Sequence, residues 1–162
     1  VWMDASTRAT LTRRFGYCFH AEKGYPAILD DAGDLHDARD VVIDGPGGAV
    51  AFTPLAQDHG LGTPSLGFRF GPAAYSNDLV AMPEQTLARL GGLDLWIVDA
   101  LRYTPHPTHA HLAQALAWAE AIKPRQTMLT NMHIDLDYRT LLNELPPNVA
   151  PAYDGWSMEL TL

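Results

Sequence analysis

A single cysteine, Cys18, excludes an internal disulfide. In the stretch RFGYCF it reads as a small buried hydrophobe. No apolar run approaches the roughly 20 residues that a membrane-spanning helix needs, and no signal peptide is visible. Positive charge is scarce: 11 Lys and Arg face 19 Asp and Glu, a formal net charge of -8. That balance argues against broad binding to nucleic acid or to an anionic membrane, although it leaves room for a small basic patch. Acidic groups can also gather where a bound cation offsets them. There is no internal repeat and no low-complexity linker. A cytoplasmic setting fits one unpaired thiol.

What is present is enough for one core. With 162 residues, 47% of them hydrophobic, the chain is expected to form a single domain over 1–162. Gly 13 and Pro 12 imply short elements joined by turns. The opening VWMDAS, strand-like at once and without an initiator Met, reads as the interior of a longer protein. Asp4 or Ser6 can cap a helix running to about Arg14. FGYCF and Ala27–Leu29 read as strands, as do Val41–Ile43, AVAFTPLAQD, SLGFRFG and PAAYS. The second half alternates: a short helix in MPEQTLARL, the apolar strand DLWIVDA, a helix from His109 to about Ile122, the strand TMLTN, a helix in DYRTLLNEL, and a final strand WSMELTL. Strands first, then β-α-β-α-β, give an α/β (α+β) class.

The segment MLTNMHIDLDY poses the functional question, because one imidazole and two carboxylates stand directly behind a buried strand. Several other strands also end in a metal-competent residue. His59 follows FTPLAQD, Asp78 follows AAYSN, Asp99 follows LWIV, and His133 follows MLTNM. Parallel strands that deliver side chains to a common edge are how α/β sheets build sites. Each residue also has a plainer reading. His59 can be a loop histidine, Asp78 a turn former, and Asp99 a cap or a group orienting a ligand histidine. Gly60, after His59, lets backbone pass close by. HPTHAH groups His106, His109 and His111. His109 is expected in a first helical turn, where the helix dipole disfavours imidazolium. Arg102 and Tyr103 lie just upstream and could face an anionic substrate. His133, Asp135 and Asp137 share a face if extended; Asp137 reads better as a helix cap.

The ordered set QDHG, LGFRFG, AAYSND and MPE, followed by LDLWIVDALRYTPHPTHAHLAQAL, TMLTNMHIDLDY and AYDG, resembles the metallo-β-lactamase superfamily. Within it the chain resembles the phosphodiesterases that hydrolyse phosphoribosyl 1,2-cyclic phosphate. The resemblance implies an αββα sandwich, here incomplete at its N-terminus. It also implies two divalent metal ions, zinc or manganese, that activate water against a small phosphate ester. Carried over residue by residue, His59, Asp78 and His133 become metal ligands, with Asp78 bridging and catalytic. His109 becomes a substrate-facing acid-base group. Read from the residues themselves, His106 and Arg102 are expected beside it at the substrate, and Asp99 and Asp135 are expected to orient ligands. Two departures stand out. Asn131 occupies the place where the family carries its last metal histidine, with His133 two residues on. The HxHxDH motif is absent from the 162 residues. The implied activity is therefore metal-dependent phosphodiester hydrolysis, with tRNA-processing nuclease and thioesterase as neighbouring activities. An inactive or partner-dependent half of the fold, paired with a further segment or a second copy, is the rival expectation.

Overall fold

The apolar runs of the second half become the middle of a mixed sheet because their side chains are wanted on both faces. In β7 (Leu95–Asp99) Trp96 and Val98 face helices, while Leu95 and Ile97 line the opposite side. The same alternation holds in β8 (Gln126–Thr130), where Leu129 and Met128 part to the two faces. The structure, a computed structural model, describes residues 1–161 and divides into two compact units, Val1–Arg39 and the remainder from Asp40.

In the first unit, α1 (Ala5–Phe15) begins where the Asp4 carboxylate accepts the Ser6 and Thr7 N–H groups at 2.8 and 3.0 Å. Arg8 pairs with Asp31 and Asp34. β1 (Trp2–Met3) and β2 (Gly33–Asp34) form a two-stranded parallel ribbon. The strand expected in FGYCF is instead a 3-10 turn at Gly16–Cys18. Ala27–Leu29 is not a strand either. The Ile28 and Leu29 N–H groups both donate to the Cys18 carbonyl, so the turn takes the bonds a neighbouring strand would need.

The second unit carries a seven-stranded sheet of order β3-β4-β5-β6-β7-β8-β9. Its first strands are β3 (Val41–Gly45), β4 (Gly48–Asp58), β5 (Pro64–Phe70) and β6 (Ala73–Ser76), paired antiparallel. From β6 through β9 (Val149–Pro151) the pairing is parallel. Three helices, α2 (Glu84–Arg89), α3 (Leu112–Ile122) and α4 (Tyr138–Glu144), belong to this unit. Leu90, Ala115, Ala119 and Leu141 pack with Leu55, Trp96 and Leu129. Each fully buried Leu-sized side chain there contributes about 1.5–3 kcal/mol. Trp96 is fully buried, and its indole N–H donates to Ser76 Oγ at 3.1 Å.

Among residues 156–161 the expected last strand is absent, and Leu162 lies outside the described residues. Trp156, Met158 and Leu160 still pack beside Leu95 and Met128. The alternation in WSMELTL thus marks a packed face, not a hydrogen-bonded strand. The sheet ends at β9, whose Pro151 has no N–H to give. Among the described residues no helix is long and apolar enough to cross a membrane.

Candidate metal centre

β4 and β6 are both antiparallel to β5, so they run in the same direction, and β7 and β8 run parallel to β6. Four strands therefore end at one edge of the sheet. β4 delivers His59 there, β6 Asp78, β7 Asp99, and β8 Asn131. The loop between β7 and α3 adds His109. Among the described residues, His59, Asp78 and His109 can each offer a ligand atom with all three within 4.8 Å of one another.

Each imidazole is held by its Nδ1. His59 Nδ1 donates to the Thr108 carbonyl at 2.8 Å. Gly60 makes that approach feasible. It sits at φ +80°, and a Cβ there would lie 2.1 Å from the Pro107 carbonyl oxygen. His109 Nδ1 donates to Asp99 Oδ2 at 2.7 Å. Both rings in their neutral form therefore keep the Nε2 lone pair, the arrangement in which a histidine binds a metal while its other nitrogen is anchored. The two rings meet edge to face, 4.8 Å apart. His109 Nδ1 also lies 3.9 Å from Asp78 Oδ1.

Asp99 has no exposed surface. Burial pushes its carboxyl above the usual carboxylate range, while hydrogen bonds from His109 and Asn131 work against that rise. Asn131 Nδ2 donates to Asp99 Oδ1 at 3.2 Å and stands 3.2 Å from His109 Nδ1. The Leu79 N–H completes the set at 3.4 Å from Oδ2. Asp99 thus orients His109, one of the two readings open at sequence level.

The helical position expected for His109 is corrected. α3 starts at Leu112 with His111 as its N-cap, so His109 lies in the preceding loop. That loop is fixed by Ala110 N–H to the Leu79 carbonyl and Leu101 N–H to the Ala110 carbonyl. A buried carboxylate, not a helix N-terminus, is what the ring leans on. His133 stands outside the three-residue group, and the extended face expected for 133–137 is absent. The chain turns back at once, Leu136 N–H donating to the His133 carbonyl, and the His133 ring lies 3.4 Å from Asp135. Asp135 therefore braces His133 and no member of the cluster. Asp137 caps α4, accepting the Thr140 N–H at 2.8 Å, and that bond holds its carboxyl below the usual range.

His106 lies beside His109, ring centroids 5.3 Å apart. Its Nδ1 accepts the Thr108 N–H at 3.3 Å. Desolvation, then the charges of Arg102 and His109, lower its pKa. Arg102 gives Nε and Nη2 to the Thr104 and Pro105 carbonyls at 3.1 and 2.6 Å, so it braces its own loop. Asn131, noted at sequence level only as standing where the resemblance expects a metal histidine, is the member left without a role of its own; it supports Asp99.

This architecture and edge-of-sheet cluster define an α/β protein of metallo-β-lactamase fold. Residues 1–134 match the family described as the Beta-lactamase superfamily domain, and the chain belongs to it. Among solved structures, the chain is similar to a diphosphatase of the PhnP family, at 30% identity and a TM-score of 0.84, covering 99% of this chain and 58% of that one. It also resembles zinc-bound PqqB from Methylobacterium extorquens, at 14% identity and a TM-score of 0.68 over 98% of this chain and 61% of that one, a likeness of fold alone. A curated relative, an octanoyltransferase of Porphyromonas gingivalis, is 30% identical over 105 residues, which is 63% of this chain and 21% of that protein. The chain thus spans less than two thirds of each of these proteins.

Proposed function

We propose that the chain forms part of a metal-dependent phosphoesterase that hydrolyses a small phosphodiester or diphosphate. The observation that carries this is the convergence of His59, Asp78 and His109 within 4.8 Å, with both imidazoles anchored through Nδ1. Two nitrogen donors and a carboxylate suit a catalytic zinc site, which takes three protein ligands and keeps a position open. His59, Asp78 and His109 would hold the cation. When bound, a divalent cation supplies water acidified to near neutrality and offsets charge on phosphoryl oxygens.

The chain's own residues do the rest. Asp99 keeps His109 in one tautomer. His106 accepts at Nδ1, so its neutral ring carries the proton on Nε2, ready to donate to a phosphoryl oxygen. His109 moves in this reading from substrate partner to cation donor, because its ligand atom falls with those of His59 and Asp78. The similarity to a PhnP-family diphosphatase supports a phosphate ester over a thioester or an RNA. The acidic balance argues against the RNA, and a cytosolic setting suits the single thiol.

The test sets bis-p-nitrophenyl phosphate, a cyclic sugar phosphate, an acyl thioester and a structured RNA side by side with the full-length protein. Phosphodiester turnover should exceed the others, and Asp78→Ala should lower metal content and turnover together. A preference for the thioester, or turnover unchanged in Asp78→Ala, refutes the reading. A second reading, a half-site that needs a partner, is favoured by one observation: three donors cluster and His133 does not join them. The three donors would then not suffice alone, and the remaining ones would come from a further segment or another copy. Metal analysis separates the two, since fewer than one tightly held ion per chain supports the half-site.

A further inference from the structure

The residue that carries the site's carboxylate has a costly backbone. Asp78 lies at φ +54°, a left-handed conformation that residues other than glycine seldom adopt. Both peptide planes that define it are held from outside the cluster. On the preceding plane, the Asn77 carbonyl accepts Gln57 Nε2 at 3.0 Å. On the following plane, the Asp78 carbonyl accepts Ser65 Oγ at 2.7 Å. Gln57 Nε2 also stands 3.4 Å from Ser65 Oγ, so the two holding groups touch.

Gln57 is 5% exposed, on β4 two residues before His59. Its Oε1 has no hydrogen-bond partner among the described residues. Packing alone does not ask for such a residue, because a methionine would fill the space without an orphaned acceptor. The neighbouring strand makes room for the amide. A Cβ on Gly67 would stand 2.3 Å from Gln57 Oε1 and 3.0 Å from the Tyr75 carbonyl oxygen. Gly67 has no positive φ, so its lack of a side chain serves space, not backbone freedom. Beyond Asp78 the chain is tied by Asp99 to the Leu79 N–H, by Gln114 Nε2 to the Val80 carbonyl, and by Asp58 to Val80 and Ala81. Gln57 on the preceding plane, and Ser65 together with Asp99 at the Leu79 N–H on the following plane, are the side chains that grip the two planes of Asp78.

We propose that Gln57 is a positioning residue: with Ser65 it holds Asp78 in the left-handed conformation that presents its carboxylate beside His59 and His109. The assignment rests on reading Asp78 as a cation donor. In the full-length protein, Gln57→Met and, independently, Gly67→Ala should each weaken Zn2+ or Mn2+ binding roughly tenfold by calorimetric titration, as loss of an orienting partner does. In cation-free protein both should speed amide exchange at 79–81 while leaving β7 and β8 protected. Ser65→Ala should act in the same direction.

Affinity within twofold of the parent, or exchange that rises uniformly across the sheet with only a fall in Tm, overturns the proposal and leaves Gln57 as ordinary packing. If the parent protein takes up no cation, the metal reading falls by itself. The exchange data then decide Gln57 alone: acceleration confined to 79–81 supports it, and none overturns it.

Discussion

Replacing Asp99 by asparagine separates what the buried carboxylate does for the site from what it does for the fold. Three donors converge on it: His109 Nδ1 at 2.7 Å, Asn131 Nδ2 at 3.2 Å and the Leu79 N–H at 3.4 Å. A carboxylate accepts all three, but an amide offers one oxygen and sets an NH2 group against the remaining donors. A hydrogen bond to a charged group contributes about 1.5–3 kcal/mol. Losing one such bond at His109 frees the ring and predicts a fall of about 10- to 150-fold in cation affinity or turnover.

Stability should move much less. Burial holds the Asp99 pKa above the value of the unfolded chain, so its ionised form opposes folding. The sign follows from the raised pKa: the contribution is most favourable below the unfolded pKa and declines as pH rises through the folded one. Asp99→Asn removes that burial cost at neutral pH while leaving one or two donors poorly met, and both terms are of order 1–3 kcal/mol and opposite in sign. The expected shift in Tm is within about 5 °C. Calorimetric cation titration, phosphodiester turnover and a thermal melt on one preparation check this. A variant that keeps more than a third of the parent's affinity and turnover refutes the dyad, and one that unfolds refutes the offset.

Other outcomes follow from the same contacts. Gly60→Ala places a Cβ 2.1 Å from the Pro107 carbonyl at φ +80°, so the loop must shift; the left-handed cost of about 1–2 kcal/mol and the lost His59–Thr108 bond should lower Tm by several degrees and weaken cation binding, both read on the purified variant. Asn131→Ala removes the amide on Asp99 Oδ1 and should reduce turnover several-fold without changing the far-UV spectrum. Chelation should lower Tm, since a cation at a hundred times its Kd stabilises by about 2.7 kcal/mol; an unchanged melt denies a cation bound to the folded state. Asp4 caps α1, and burial, which raises its pKa, is outweighed by hydrogen bonds from Ser6 and Thr7 that hold it at about 2 against 3.8. Its stabilisation is present above 3.8 and lost as pH falls toward about 2, and Asp4→Ala should cost about 1 kcal/mol of helix stability, seen as early fraying in an acid titration by circular dichroism.

The parallel half of the sheet was legible because fully apolar runs such as LWIV and TMLT have one use in a chain of this size, and α3 because Leu112, Ala115, Ala119 and Ile122 share a buried face. In the first 40 residues the helix capped by Asp4 was legible, but the strands expected after it were not. Aromatic alternation in FGYCF suggested a strand, but a strand needs a partner, and Cys18 spends its carbonyl on Ile28 and Leu29. At the site, His59, Asp78 and Asp99 could be placed because each stands at the end of an apolar strand, and the three strands run in the same direction. Asp99 as the partner of His109 was one of two open readings, and only coordinates bring residues ten apart to 2.7 Å.

Asn131 and His133 show where periodicity stops helping. The strands flanking β7 both exit through left-handed residues, Asp78 at φ +54° after β6 and Asn131 at φ +58° after β8. A left-handed residue ends the alternation of side chains that a strand imposes, so counting onward in steps of two from Thr130 predicts nothing about His133. Asp and Asn are the residues that enter this conformation most readily after glycine. In both positions here the left-handed residue brings a polar side chain toward the Asp99–His109 pair: Asp78 Oδ1 lies 3.9 Å from His109 and Asn131 Nδ2 lies 3.2 Å from Asp99. Backbone strain of this kind persists only where surrounding bonds over-determine it. Gln57, Ser65 and the Leu79 N–H supply those bonds around Asp78. The two strained exits and the buried carboxylate between them are therefore one structure, which turns parallel strands into a set of donors aimed at a shared point.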